Sequence, residues 1–303
     1  MLVLASALFF GASGVVAKLI LNTGLSAFHL AQIRCTAAAL FLMIFILFTK
    51  PESLKITKNE IPLLVLYGSI GFAIVQAAYY FSIARMPVSI AITLEFTAAL
   101  WITLYLKMIK KESVKPSMWG AILLSLFGLA LLAQIWSGMT LSLAGLIGGF
   151  VAAITCAGYY LLGAKLVGTR NSTSLTCYGF IVATFFWSIV QPIWRFPFAI
   201  LSSKIPLQGI SENKSLPGWI LILYIALMGT VLPYLLVIIA MKSISASQAS
   251  VIAMSEPVFS GILAWSILSE HLTLAQLCGG FLVLTGIFIA EKSKPTKIAQ
   301  IQG

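Results

Sequence analysis

Pro87-Val88-Ser89-Ile90-Ala91-Ile92-Thr93-Leu94-Glu95-Phe96-Thr97-Ala98-Ala99-Leu100-Trp101-Ile102-Thr103-Leu104-Tyr105-Leu106-Lys107 is an apolar run with one charge in its interior. As a helix rising about 1.5 Å per residue it is about 31 Å long, close to the roughly 30 Å hydrocarbon core of a bilayer. Its apolar residues are continuous, whereas a barrel strand alternates over short segments. Glu95 lies eight residues past Pro87, about 12 Å into such a helix. The run therefore reads as a membrane span with a carboxylate near its middle.

Nine further stretches have the same character. The ten together cover 2–21, 28–48, 61–84, 87–107, 117–136, 141–164, 173–194, 217–241, 247–268 and 274–290. Of the 303 residues 60% are hydrophobic and 9% charged, and mean hydropathy is +1.04. A soluble domain carries about 25% charged residues, so a water-soluble fold is excluded. The fold class expected is an all-α polytopic membrane protein of ten transmembrane helices. No basic segment precedes Leu2, and its apolar run is longer than a leader's core, so 2–21 is expected to be a retained first span.

The net charge of +11 lies in short clusters between apolar stretches, without the basic face that nucleic acid requires. With the N-terminus inside, inner segments hold Lys50, Lys55, Lys58, Lys107, Lys110, Lys111, Lys115, Lys165, Arg170, Lys242, Lys292, Lys294 and Lys297. Outer segments hold Arg85, Arg195, Lys204 and Lys214. That bias places both termini in the cytoplasm. The one long loop, 195–216, falls outside and contains the formal sequon Asn213-Lys214-Ser215. Cys35, Cys156, Cys177 and Cys278 show neither metal-ligand spacing nor a disulfide framework; they read as small apolar residues in packed helices. No metal or cofactor is expected.

An internal repeat is visible. Ala17-Lys18-Leu19 matches Ala164-Lys165-Leu166, Glu95 matches Glu256, and Gly128 matches Gly286. The halves divide as 1–136 and 137–303. Five spans per half is odd, so the second half enters the membrane from the opposite side. Inverted repeats of this kind are a known basis of alternating access around a midplane site.

A charge at the bilayer centre costs at least about 2.5–3.5 kcal/mol on insertion scales and marks function by default. Glu95 and Glu256 are thus candidates for holding a cationic substrate group or exchanging a proton. The bland reading is a protonated glutamate bridging two helices. Pro257, beside Glu256, and Pro233 remove a helical hydrogen bond each and mark breaks or ordinary kinks. Lys18 and Arg34 either snorkel or enter a pocket. His29 reads as interfacial. Gly11, Gly14, Gly68 and Gly71 allow close helix packing. Tyr79, Tyr80, Trp101, Tyr159 and Tyr160 line a pocket or face lipid.

Phe10-Gly11, Val15-Val16-Ala17-Lys18, Ser255-Glu256-Pro257-Val258-Phe259 and Leu268-Ser269-Glu270-His271-Leu272-Thr273 resemble the EamA-type repeats of the drug/metabolite transporter superfamily. The resemblance covers nearly the whole chain and implies two inverted five-helix repeats around a central cavity. Tyr80 through Phe96 is similar to the corresponding stretch of the bacterial threonine/homoserine exporter group, with Gln76 near one of its polar positions. Thr97-Ala98-Ala99 departs from the Gly-Pro pair expected there, which bears on the substrate.

The function expected is export of amino acids or related small polar metabolites across the inner membrane, by alternating access, with proton coupling as an option. Candidate substrate or coupling residues are Glu95, Glu256, Gln76, Tyr80, Lys18 and Arg34. Efflux of cationic drugs, uptake of another metabolite, and a structural or signalling role without substrate remain open. No aspartate occurs in the chain, nor a G-x-S-x-G or H-E-x-x-H motif, so no catalytic residue is assigned.

Overall fold

Lipid offers no partner to a backbone N–H or C=O, so each apolar run satisfies its own as a helix. The computed structural model describes residues 1–136, 142–207, 214–268 and 272–293. Through them run α1 (Leu2–Leu21), α2 (Ala27–Thr49), α3 (Ile61–Ile83), α4 (Val88–Met108), α5 (Pro116–Leu132), α6 (Leu143–Leu166), α7 (Ser172–Val190), α8 (Gly218–Ala240), α9 (Ala246–Ile267) and α10 (Leu274–Lys292). Among the described residues, nine of these helices are long and apolar enough to cross a membrane, and α5 is the shorter apolar tenth. Lys294, Lys297, Glu270, His271 and Asn213 lie outside the described residues.

Local chemistry sets the helix ends. Ser245 and Thr273 open α9 and α10 with capping boxes to Gln248 and Gln276, and Ser26, Ser142 and Asn171 cap α2, α6 and α7. Two ends fall short of expectation. α7 stops at Val190 because Gln191 is extended, as a residue before proline prefers. α5 stops at Leu132, and Gln134 beyond it has a φ of 49°.

The long loop between α7 and α8 is not featureless. Its strands β1 (Lys204–Pro206) and β2 (Ser215–Pro217) form an antiparallel ribbon with Ile205 opposite Leu216. Ile205, Phe196 and Ile200 bury against Leu19, Ile20 and Leu221. The loop thus caps one end of α1, α2 and α8 with apolar side chains, outside the spans.

The two halves repeat each other's irregularities. α3 contains a π turn at Ser69–Ile74, and α8 contains one at Leu227–Val231. α4 is interrupted at Thr97 and α9 at Met254-Ser255. Packing follows the same exchange: α1 lies against α8 and α9, α6 against α3 and α4, α2 against α7, and α5 against α10. Counting crossings, the start of α1 and the end of α10 share one face, here called the terminal face.

α5 and α10 meet at glycines, where backbone comes close to backbone. A Cβ on Gly128 would sit 2.7 Å from the Gly279 carbonyl oxygen and 2.8 Å from the Val283 nitrogen. One on Gly286 would sit 2.8 Å from the Ala121 carbonyl oxygen and closer still to Ser125. Gly128→Val is therefore expected to cost about 1–3 kcal/mol through overpacking, read as a lower Tm in detergent. Gly120→Ala, whose added carbon meets nothing within 4 Å, serves as the control; equal Tm values for both variants would contradict the tight contact.

Candidate functional site

The breaks in α4 and α9 place the two mid-membrane carboxylates. In α4 no proline is present; the Thr97 hydroxyl donates to the Leu94 carbonyl at 2.6 Å and accepts from the Trp101 indole at 3.2 Å. The helix ends at Phe96 and resumes at Ala98, so Thr97 interrupts the chain where a Gly-Pro pair was expected from the resemblance. In α9, Pro257 has no N–H for the Ala253 carbonyl four residues earlier, and the helix restarts at Glu256. Glu95 thus lies two residues before the break in α4, and Glu256 directly after the break in α9.

Both face one cavity of about 190 Å3. α1 contributes Ser6, Ala7 and Phe10; α3 contributes Gly71, Val75, Gln76, Tyr79 and Tyr80; α4 adds Ile92 and Phe96 beside Glu95. From the second half come Cys156, Tyr159 and Tyr160 of α6, Tyr234 and Val237 of α8, and Ala253 beside Glu256. Both glutamates are half-buried. Among the described residues neither carboxylate has a hydrogen-bond or ion-pair partner, which a helix-bridging carboxyl would need.

Arg34 of α2 brings a positive charge to the same cavity. Its Nε donates to Thr230 Oγ1 at 3.0 Å and its Nη2 to the Gly229 carbonyl at 3.1 Å. Gln76, buried, lies with its amide 3.7–3.9 Å from Cys35 Sγ, a loose contact.

Aromatic rings and polar ties flank the cavity toward both faces. Away from the terminal face, Tyr80 meets Phe28 at 6.0 Å and Trp187 at 6.4 Å between ring centroids, and Gln32 donates to the Gln191 carbonyl. Beneath the cavity, Tyr159 stacks on Tyr67 at 5.9 Å and meets Phe72 at 5.5 Å. On the terminal face Arg170, after α6, spans to the α2–α3 connection. It donates to Glu60 Oε1 at 3.2 Å and to the Ser53 and Lys55 carbonyls at 2.9 and 3.0 Å. The Tyr178 hydroxyl donates to the Leu54 carbonyl at 2.6 Å. These bonds join the first half of the chain to the second.

Of the residues singled out from sequence, Glu95, Glu256, Gln76, Tyr80 and Arg34 meet on the cavity. Lys18 does not: it is exposed near the far end of α1 and lines no part of the cavity. Pro257 and Pro233 stand behind the wall, shaping α9 and α8. Trp101 packs on Phe150 at 5.2 Å, away from the cavity, and His29 bonds Ser26 at 2.9 Å through Nδ1. Cys156, read as a packing residue, lines the cavity, and Cys278 is exposed. Ser6, Phe10 and Tyr234 were not singled out. Tyr234 was findable: it stands 158 positions after Gln76, the same offset as Gly286 from Gly128.

Comparison with known proteins bears on the family and the fold. The model of the family described as EamA-like transporter family matches residues 1–134 and 143–291. YdfC, an uncharacterized transporter of Bacillus subtilis, is 25% identical over 264 residues, covering 86% of this chain and 80% of its own. The threonine/homoserine exporter RhtA of Escherichia coli is 26% identical over 244 residues, covering 79% and 74%. A solved structure titled only as a crystal structure of a protein superposes with a TM-score of 0.76 at 14% identity, covering 95% of this chain and 94% of that one. At that identity it speaks for the fold alone.

The Arg170 tie should depend on pH. The Thr57 backbone N–H and hydroxyl, at 2.8 and 2.9 Å, hold the Glu60 carboxyl below its ordinary range, and Arg170 adds to this. A depressed folded-state pKa gives stability that is present above the unfolded value, about 4.3, and lost as pH falls through the folded value. Wild type is thus expected to exceed Glu60→Gln in Tm at neutral pH, with the gap closing on acidification below about pH 4. A gap independent of pH would mean that Glu60 acts through packing.

Proposed function

Because the chain belongs to the EamA-like transporter family, we propose that it exports amino acids or related small polar metabolites by alternating access between its halves, 1–136 and 137–303. The observation that carries this reading is the pair of repeat-related carboxylates, Glu95 and Glu256, unpartnered on one cavity at mid-membrane depth. Buried charge without a partner is expensive, and a transported ammonium group or a proton relieves it. The function of the threonine/homoserine exporter among the chain's relatives supports the choice of amino acids.

Cavity size favours a small metabolite over a drug. Sites for drug-sized ligands occupy about 300–1,000 Å3, well above the 190 Å3 here. Arg34 disfavours a lipophilic cation further, since it adds like charge to the same space. The existence of the cavity favours a transported molecule over a purely structural or signalling role, and transport over catalysis. Lysine and arginine clustering supports cytoplasmic termini in an inner membrane. Proton antiport follows naturally from two carboxylates that a substrate ammonium and a proton would share.

Counterflow in proteoliposomes with labelled amino acids tests this directly. Selective, saturable exchange is expected from wild type, accompanied by proton movement reported by an entrapped pH dye. Glu95→Gln should reduce exchange more than tenfold while inserting normally. Full exchange by a well-folded Glu95→Gln protein would remove Glu95 from the mechanism, and protection against lipophilic dyes without amino-acid exchange would favour the drug reading.

A further inference from the structure

The repeat that pairs Glu95 with Glu256 gives Arg34 no twin. Arg34 is the eighth residue of α2, and the eighth residue of α7 is Gly179. A Cβ on Gly179 would meet the Phe72 ring at 2.6–2.9 Å. An aromatic ring therefore occupies, in the second half, the place that the guanidinium takes in the first. Charge on the cavity wall is accordingly lopsided: two carboxylates on related helices and one cation off to a side.

The held edge of Arg34 defines what its other edge can do. Residue 233 is proline, so the Gly229 carbonyl lacks the N–H that an α-helix would supply four residues on. The π turn at Leu227–Val231 presents that carbonyl outward. The Thr230 hydroxyl donates to the Ile225 carbonyl at 2.8 Å, leaving its oxygen to accept from Arg34 Nε. Both bonds use the Nε and Nη2 side of the guanidinium. Of five N–H donors, two are used there; one each on Nη1 and Nη2 form the outer fork, and the Tyr80 side chain is a further hydrogen-bond partner of the guanidinium. Among the described residues no carboxylate lies within ion-pair distance of it. A planar fork with parallel N–H donors matches a carboxylate in two bonds.

We infer that Arg34 is the carboxylate-binding residue of the cavity, so that the substrate class is the α-amino acid zwitterion, its ammonium directed to Glu95 and Glu256. This rests on the transport reading above and adds to it a requirement for the substrate's own carboxylate. A zwitterion brings no net charge into the cavity, whereas an amine offers the Arg34 fork no carboxylate. Thr230 is a positioning residue: it orients the guanidinium without touching substrate. The break at Pro233 is the structural cause of the anchor.

The test is counterflow by the full chain in proteoliposomes, competed with pairs that differ only in the carboxylate: L-threonine against 1-aminopropan-2-ol, L-leucine against isopentylamine, and L-phenylalanine against 2-phenylethylamine. For the wild type the amine of any transported acid is expected to compete at least tenfold more weakly. Arg34→Gln should erase that preference, and Arg34→Lys should restore part of it. Thr230→Val should raise KM several-fold with kcat little changed, because the charge stays while its aim is lost. Equal competition by acid and amine, or wild-type KM and preference in Arg34→Gln, would overturn the inference while leaving amino-acid transport intact. If Arg34→Gln does not fold, the wild-type pairs and Thr230→Val decide alone. Silence from all three acids, with exchange of a lipophilic cation instead, would overturn the transport reading itself and this inference with it.

Discussion

Every backbone polar group inside a bilayer must find its partner within the protein, and this constraint organises the molecule. Most of the chain obeys it by being helix. The exceptions are few, and they cluster around one cavity: π turns in α3 and α8, and interruptions in α4 and α9. Each exception releases a carbonyl or redirects a side chain that an unbroken helix would have kept pointing elsewhere. The polar site is built from these departures, while the unbroken helices hold them in place.

Different side chains achieve equivalent breaks. Pro257 withholds an N–H in α9, whereas in α4 the Thr97 hydroxyl bonds to the Leu94 carbonyl three residues back. Pro233 frees a carbonyl in α8, and Arg34 from α2 takes it up. The wall of the cavity is therefore stitched across the two halves: an arginine of the first is fixed by the backbone of the second. On the terminal face Arg170 does the reverse, reaching from the second half to carbonyls of the first.

Much of this was legible in the sequence. Ten apolar runs gave ten helices with ends displaced by at most a few residues, because length and hydropathy are what a bilayer reads. Glu95 and Glu256 stood out because a charge in such a run has no cheap explanation. The lining role of Cys156 was hidden, since within an apolar helix nothing local says which side faces lipid and which faces the cavity. Lys18 misled for the same reason in reverse: a few residues nearer the helix end, a charge is exposed and needs no pocket. The residues that anchor Arg34 in α8, Gly229 and Thr230, lie nearly two hundred positions away, beyond the reach of any periodicity. The break at Thr97 was equally hidden, because a lone threonine in an apolar helix usually just bonds back one turn.

The contrast between Arg34 and Gly179 has a consequence for the molecule's history and its placement. A transporter assembled from two identical copies would carry either two guanidiniums on its cavity or none, so this wall belongs to copies that have diverged. Turned upside down in the bilayer, the protein would present its cation on a different wall of the cavity. Insertion in both orientations, tolerable for a symmetric pair of copies, would here produce two chemically different proteins. Whatever orients the chain in its bilayer thus also decides which way round the charged wall confronts its two compartments.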